Sequence, residues 1–193
     1  MAEVTTGTGT DLIELLLQDH RAAEELLRQV GQPGRDQAEV FHEIVHDLVG
    51  HEVAEEEIVY PAVRSSVDGG EALAEARIAE QQEAEELMAR MEKMDSGSDE
   101  FAQSLKRLRD EVLTHAKTEE SEVFPRLQEA LTPERRSQLG AAYKGAKATA
   151  PTHPHPHAPN TPPGNVAAGS IAAVADRVRD AARSALQKVH VGR

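Results

Sequence analysis

The chain has 193 residues, a formal net charge of −13 and no cysteine. That charge disfavours non-specific binding to nucleic acid or anionic membranes, which reward clustered Lys and Arg, and the missing thiols exclude disulfides, thiolate zinc sites and iron–sulfur clusters. Hydrophobic residues make up 39% of the chain but aromatic ones only 3%, a Leu-, Ala- and Glu-rich mixture that suits helices.

The opening stretch, MAEVTTGTGTD, has neither a basic start nor an apolar run, so no signal peptide is expected. No segment approaches the roughly 20 apolar residues needed to span a bilayer. The expectation is a cytoplasmic protein without membrane or nucleic-acid partners.

Taken in chain order, Thr10 or Asp11 can cap a first helix running to about Val30, with Ile13, Leu16, His20, Ala23, Leu27 and Val30 at 3–4 spacing. GQPGR (31–35) breaks it. A second helix is expected from about Asp36 to Tyr60, ending near Pro61, because an interior proline removes a helical hydrogen bond. A third spans about 71–94 and stops at DSGSD (95–99), a fourth covers about 100–129, and a short fifth follows the cap Thr132-Pro133. Long helices with short connections predict an all-α, up-down-up-down four-helix bundle over residues 11–145. Residues 146–165 read as a Pro/His-rich linker, in which THPHPHAP could chelate a metal loosely but mainly acts as a stiff spacer. In the tail, 166–193, Ile171, Val174, Val178, Ala181, Ala182 and Leu186 repeat at helical spacing. This amphipathic C-terminal helix offers residues 166–188 as a surface for a protein partner.

The most informative pattern is a repeat. HEVAEEEIVYPAV (51–63) and HAKTEESEVFPRL (115–127) align at a shift of 64, matching His51/His115, Glu55/Glu119, Glu56/Glu120, Val59/Val123 and Pro61/Pro125. At a shift of 61, DHRAAEELL (19–27) lies over EQQEAEELM (80–88), so the bundle reads as two copies of a helix hairpin. A histidine and a glutamate at i and i+4 project from one helix face, and an imidazole with a carboxylate there can bind a transition metal. His20, His51, Glu55, His115 and Glu119 are therefore candidates for one shared site. Imidazoles and carboxylates without thiolates favour iron or manganese over zinc, and two facing carboxylates can bridge two ions about 3.5–4 Å apart.

These motifs, in this order and with their Tyr-Pro and Phe-Pro endings, resemble the hemerythrin HHE cation-binding domain over residues 11–130. The resemblance implies a four-helix bundle holding two iron ions, oxo- or hydroxo-bridged, that react with dioxygen, nitric oxide or peroxide. It also implies that His20, His51, Glu55, His115 and Glu119 are ligands, with Glu55 and Glu119 bridging. The departure is Gln81, where the family usually carries histidine. An amide oxygen ligates weakly, so Gln81 acts as a poor ligand or a hydrogen bonder, or Glu85, Glu52, Glu80 or Glu83 takes its place.

A competing motif is literal: His42-Glu43-Ile44-Val45-His46 is HExxH, the zinc-hydrolase signature. At 100° per residue, however, His46 and His42 lie ~140° and ~180° around the helix from His51, on the face expected to meet solvent. The leading reading is a non-haem di-iron protein that reacts with or senses dioxygen, nitric oxide or peroxide, in oxidative or nitrosative stress or iron handling, with possible peroxide- or nitric-oxide-consuming activity. The alternatives are an iron- or oxygen-responsive regulatory module acting through the C-terminal helix, the zinc hydrolase, and an acidic helical scaffold without metal.

Overall fold

The computed structural model describes residues 11–157 and five positions of the tail (172, 173, 176, 177 and 180). The expected helix over 166–188 lies mostly outside the described residues. The elements are α1 (Leu12–Leu27), α2 (Gln37–Ala54), α3 (Tyr60–Ser66), α4 (Gly70–Met91), α5 (Asp99–Thr118), α6 (Phe124–Ala130) and α7 (Pro133–Thr149). Two π-helical turns, Glu55–Val59 and Glu119–Val123, join α2 to α3 and α5 to α6 into continuous rods. The bundle is thus α1, α2–α3, α4 and α5–α6, with α7 packed against α1 and α2. No helix among the described residues is long and apolar enough to cross a membrane.

Local chemistry sets the helix ends. Asp11, Asp36, Ser98 and Thr132 each accept a backbone N–H from the first turn they precede. Acidic residues follow in each first turn, where the helix dipole favours them. The turn into α4 needs two glycines. Gly69 has φ 67, and a Cβ on Gly70 would sit 2.1 Å from the Val63 carbonyl oxygen.

The second rod does not stop at Pro61 as expected; it continues to Ser66. A proline ring would collide with the carbonyl four residues back and supplies no N–H. The π turn ahead of it relieves both problems, with the Tyr60 N–H reaching back to the Glu55 carbonyl. Phe124 does the same to Glu119 before Pro125. Each π turn begins on the glutamate of a His-x3-Glu pair, so the backbone irregularity and the candidate ligands coincide in both copies.

The core falls into two apolar halves. One gathers Leu12, Leu16, Val59, Tyr60, Phe124 and Leu127, and the other Leu27, Phe41, Leu48, Met88, Phe101 and Leu108. Between them every rod of the bundle carries polar residues at the same height: His20, then His51 and Glu55, then Gln81, then His115 and Glu119. One polar layer crossing an otherwise dry bundle costs stability unless its groups are satisfied.

Beyond α7 the chain turns onto α4. Pro151, His153 and Pro154 are buried, and the His155 backbone N–H donates to Glu85 at 2.7 Å. Asp176 accepts the backbone N–H groups of Thr152 and His153 at 3.1 and 3.2 Å. The described part of the His-Pro stretch is therefore packed on the bundle, pinned by α4 on one side and by the tail on the other.

Candidate metal centre

Ligand-type atoms of His20, His51, Glu55 and Glu119 all lie within 4.8 Å of one another, and all four residues are buried. His20 Nε2 and His115 Nε2 are each 3.4 Å from Glu119 Oε2, and His51 Nε2 is 3.3 Å from Glu55 Oε1. These separations suit donors that share an ion at ~2.0–2.2 Å each. Five atoms of the layer are buried without a hydrogen-bond partner: His20 Nε2, His115 Nε2, Glu55 Oε1, Glu119 Oε2 and Gln81 Oε1. A buried polar atom left unpaired costs about 1–3 kcal/mol. Imidazole and carboxylate lone pairs gathered in this way fit a cation.

Each imidazole is held from behind. His20 Nδ1 donates to Glu120 Oε1 at 2.9 Å and His115 Nδ1 to Glu80 Oε2 at 2.8 Å, and His51 Nδ1 shares a hydrogen bond of 2.7 Å with the Tyr143 hydroxyl. An ionised carboxylate only accepts, so in His20 and His115 the proton sits on Nδ1 and the Nε2 lone pair faces the layer. Such backing fixes the tautomer and raises the basicity of a metal-binding histidine.

The carboxylates carry the matching charge problem. Glu52, Glu55 and Glu119 are buried close together. The Tyr60 hydroxyl donates to Glu119 at 3.0 Å and lies 3.4 Å from Glu55, while the Gln81 amide donates to Glu55 at 2.6 Å. Burial would raise the Glu119 carboxyl, but His115 and His20 outweigh it and hold the group at about 2. Glu55 goes the other way, pushed well above the ordinary range by burial and then by the Glu119 charge. Two facing carboxylates cannot both ionise cheaply without a cation between them.

A cavity of about 40 Å³ reaches the layer, with His20, His51, Gln81 and His115 on its polar side and Ala23, Leu48, Ala84 and Val112 among its apolar walls. One water needs roughly 10–15 Å³ on this measure, so the space suits a diatomic molecule, a peroxide or a few waters. Glu52 also lines it, and burial followed by the charge of Glu85 pushes its carboxyl well above the usual range.

The remaining candidates are placed elsewhere. Glu85 turns to the His155 backbone, away from the cluster. His42 and His46 are exposed on α2, and the His42 ring lies tilted beside that of Phe41. Glu80 supports His115 from outside and also accepts from Arg77 at 2.6 Å. Sequence reasoning did not assign the supporting groups Tyr60, Glu120, Asp19 and Tyr143. A usable signal existed for Asp19, which precedes His20 as Glu80 precedes Gln81 in the repeat. For Tyr143, which lies outside the repeat, there was none.

The family model for the hemerythrin HHE cation-binding domain matches residues 11–127. An uncharacterized hemerythrin-like protein of Schizosaccharomyces pombe is 29% identical over 174 residues, covering 89% of this chain and 86% of the relative. A protein of Nostoc sp. named as a DNA nickase is 31% identical over 136 residues, covering 69% of this chain and 38% of the relative. No solved structure matches the chain significantly. With more than half its length matched and a buried His/Glu cluster that could hold a metal, the chain belongs to the hemerythrin HHE cation-binding family.

Proposed function

We propose that this chain is a cytoplasmic non-haem iron protein that binds two iron ions in the polar layer and reacts with, or senses, dioxygen, nitric oxide or peroxide. The observation that supports it best is the set of buried, unpartnered ligand atoms drawn from both repeats at the base of a small cavity. Iron bound there would supply a redox-active Lewis acid. His20, His51 and His115 would provide imidazole donors and Glu55 and Glu119 bridging carboxylates, while the surrounding apolar halves keep bulk water out. Imidazoles mixed with carboxylates and without thiolate suit iron or manganese better than zinc, and membership of the hemerythrin HHE family puts iron ahead of manganese.

A second reading makes the same centre regulatory, with occupancy controlling the tail and any protein partner that residues 166–188 recruit. One contact favours it. Glu85, one turn along α4 from Gln81, bonds the His155 backbone, so α4 touches both the layer and the tail-binding segment. DNA nicking, the activity in the Nostoc relative's name, is weaker, because the shared region is 38% of that protein and this chain carries a charge of −13.

The test is metal analysis after expression in iron-replete medium, with near-ultraviolet absorption, followed by rapid mixing of the reduced protein with peroxide and with nitric oxide. About two irons per chain and fast reaction are expected. A metal-free protein, or a stoichiometric zinc protein with no affinity for iron, rejects the reading.

A further inference from the structure

We propose that Tyr143 is a positioning residue for His51, a phenol inserted between that imidazole and Asp19 which ties helix α7 to metal binding in the first repeat. The inference rests on the metal-centre reading above and concerns a helix beyond the matched residues 11–127.

The two copies back their second-helix histidine in different ways. Asp19-His20 aligns with Glu80-Gln81, and His51 with His115. In the second copy the acid and the imidazole meet directly, with His115 Nδ1 2.8 Å from Glu80 Oε2. In the first copy the equivalent acid is an aspartate, one methylene shorter, and its Oδ2 stands 3.6 Å from His51 Nδ1. That exceeds a hydrogen bond. The Tyr143 hydroxyl closes the gap, 2.7 Å from His51 Nδ1 and 2.6 Å from Asp19 Oδ2.

The directions of these bonds follow from what each group can give. Lys147 Nζ stands 2.9 Å from Asp19 Oδ2, an ion pair that keeps the carboxylate charged. An ionised Asp19 only accepts, so Tyr143 spends its single proton on Asp19 and accepts from His51 Nδ1–H with its oxygen. The Nε2 lone pair of His51 is then left toward Glu55 Oε1, 3.3 Å away. Lys147, one turn along α7, closes the network at 2.9 Å from Asp19 and 3.4 Å from Asp47. Tyr143 is itself buried at 1% exposure, so its ring anchors α7 in the core while its hydroxyl sets the tautomer of His51.

Tyr143→Phe keeps the ring and deletes only the bridge. The test combines nitrogen-15 NMR of the imidazoles in the metal-free full chain with Fe(II) and Mn(II) affinity from chelator competition. In the unmodified chain His51 should be the Nδ1–H tautomer. In Tyr143→Phe it should shift to Nε2–H or a mixture, and metal affinity should fall about 10–100-fold. Adding Asp19→Glu gives the acid the reach that Glu80 has, so the double variant should regain the Nδ1–H tautomer and most of the affinity. A merely structural role for Tyr143 would not be rescued in this way. An unchanged tautomer and affinity in Tyr143→Phe, or a loss that Asp19→Glu does not repair in a folded protein, overturns the proposal. If the unmodified chain binds neither metal, the metal-centre reading fails, and the tautomer pattern alone decides whether Tyr143 sets His51.

Discussion

Gln81 donates its side-chain amide to Glu55 across 2.6 Å and keeps its own carbonyl oxygen buried without a partner. It occupies the place in the second repeat that His20 holds in the first. The two sides of the layer are thus unequal in donor strength, and the ion on the second-repeat side should be bound more weakly and be more open. Stepwise chelation should remove one iron well before the other, and the reduced protein should autoxidise rapidly and consume peroxide or nitric oxide. Gln81→His should tighten the weaker ion and slow peroxide consumption. Stable, reversible oxygen carriage in the unmodified protein, or a Gln81→His variant with unchanged kinetics, would count against this.

The polar layer is legible in the sequence because duplication multiplies a weak signal. One His-x3-Glu pair is ambiguous, whereas two at a shift of 64, each followed by an aromatic-proline step, point to one face of two helices. Helical periodicity and short connections likewise reveal the bundle. Contacts between distant segments are not legible in this way. Tyr143 reaches His51 across 92 residues, and Glu85 meets His155 across 70, and neither partner follows from local spacing. The continuation past Pro61 also escapes a sequence rule, because the π turn that accommodates the ring depends on how the whole rod packs.

The histidines of the polar layer and the exposed histidines of α2 should behave oppositely. His51→Ala leaves Glu55 buried with one fewer partner, and breaking a buried pair typically costs about 3–5 kcal/mol. This variant and His115→Ala should lose metal and melt earlier. His42→Ala and His46→Ala, on the exposed face, should keep both iron content and melting temperature within error. Elemental analysis with calorimetry decides, and the reverse pattern would revive the HExxH reading.

Metal-free protein should lose stability as pH rises from 5 to 8. Glu52 and Glu55 have folded values well above the ordinary carboxyl value of 4.5, through burial first and then neighbouring carboxylates. A carboxyl raised in this way stabilises fully below its unfolded pKa, and that contribution is lost as pH climbs through the folded value. His20 is also raised, with Glu119 and Glu120 outweighing burial, and acts with the same sign above its unfolded value of 6.5. His51, lowered by burial, opposes them. Glu119, held at about 2, contributes above its unfolded pKa and changes little in this window. Adding Fe(II) or Mn(II) at pH 7.5 should reverse the loss, since a cation favours the ionised carboxylates. Thermal melts of chelator-treated protein check this, and a flat or rising profile from pH 5 to 8 rejects it.

Docking of the His-Pro segment should weaken in alkali. His153 is buried with a carboxylate on each ring nitrogen, Glu92 just past the end of α4 on Nδ1 and Asp180 of the tail on Nε2, the latter at 2.9 Å. A neutral imidazole has one N–H and one lone pair, so it can satisfy only one of them. The protonated ring satisfies both. Its pKa is raised accordingly: burial pulls it down, but Glu92 and Asp180 outweigh that. Asp176 faces the same segment through the Thr152 and His153 amides and the His155 ring at 2.9 Å, Glu85 holds the His155 amide, and Arg177 donates to the Ala148 carbonyl oxygen. A histidine raised on folding gives its stabilisation in full below about 6.5 and loses it as pH rises through the folded value. NMR signals of the Thr152, His153 and His155 amides should therefore move toward undocked positions between pH 6 and 9, with the core resonances of α1 and α5 unchanged. His153→Gln keeps a hydrogen-bonding side chain but cannot be charged, so its segment should be undocked at every pH in that range. Amides that stay docked in His153→Gln, or a pH response that survives in it, would show that His153 does not hold the segment.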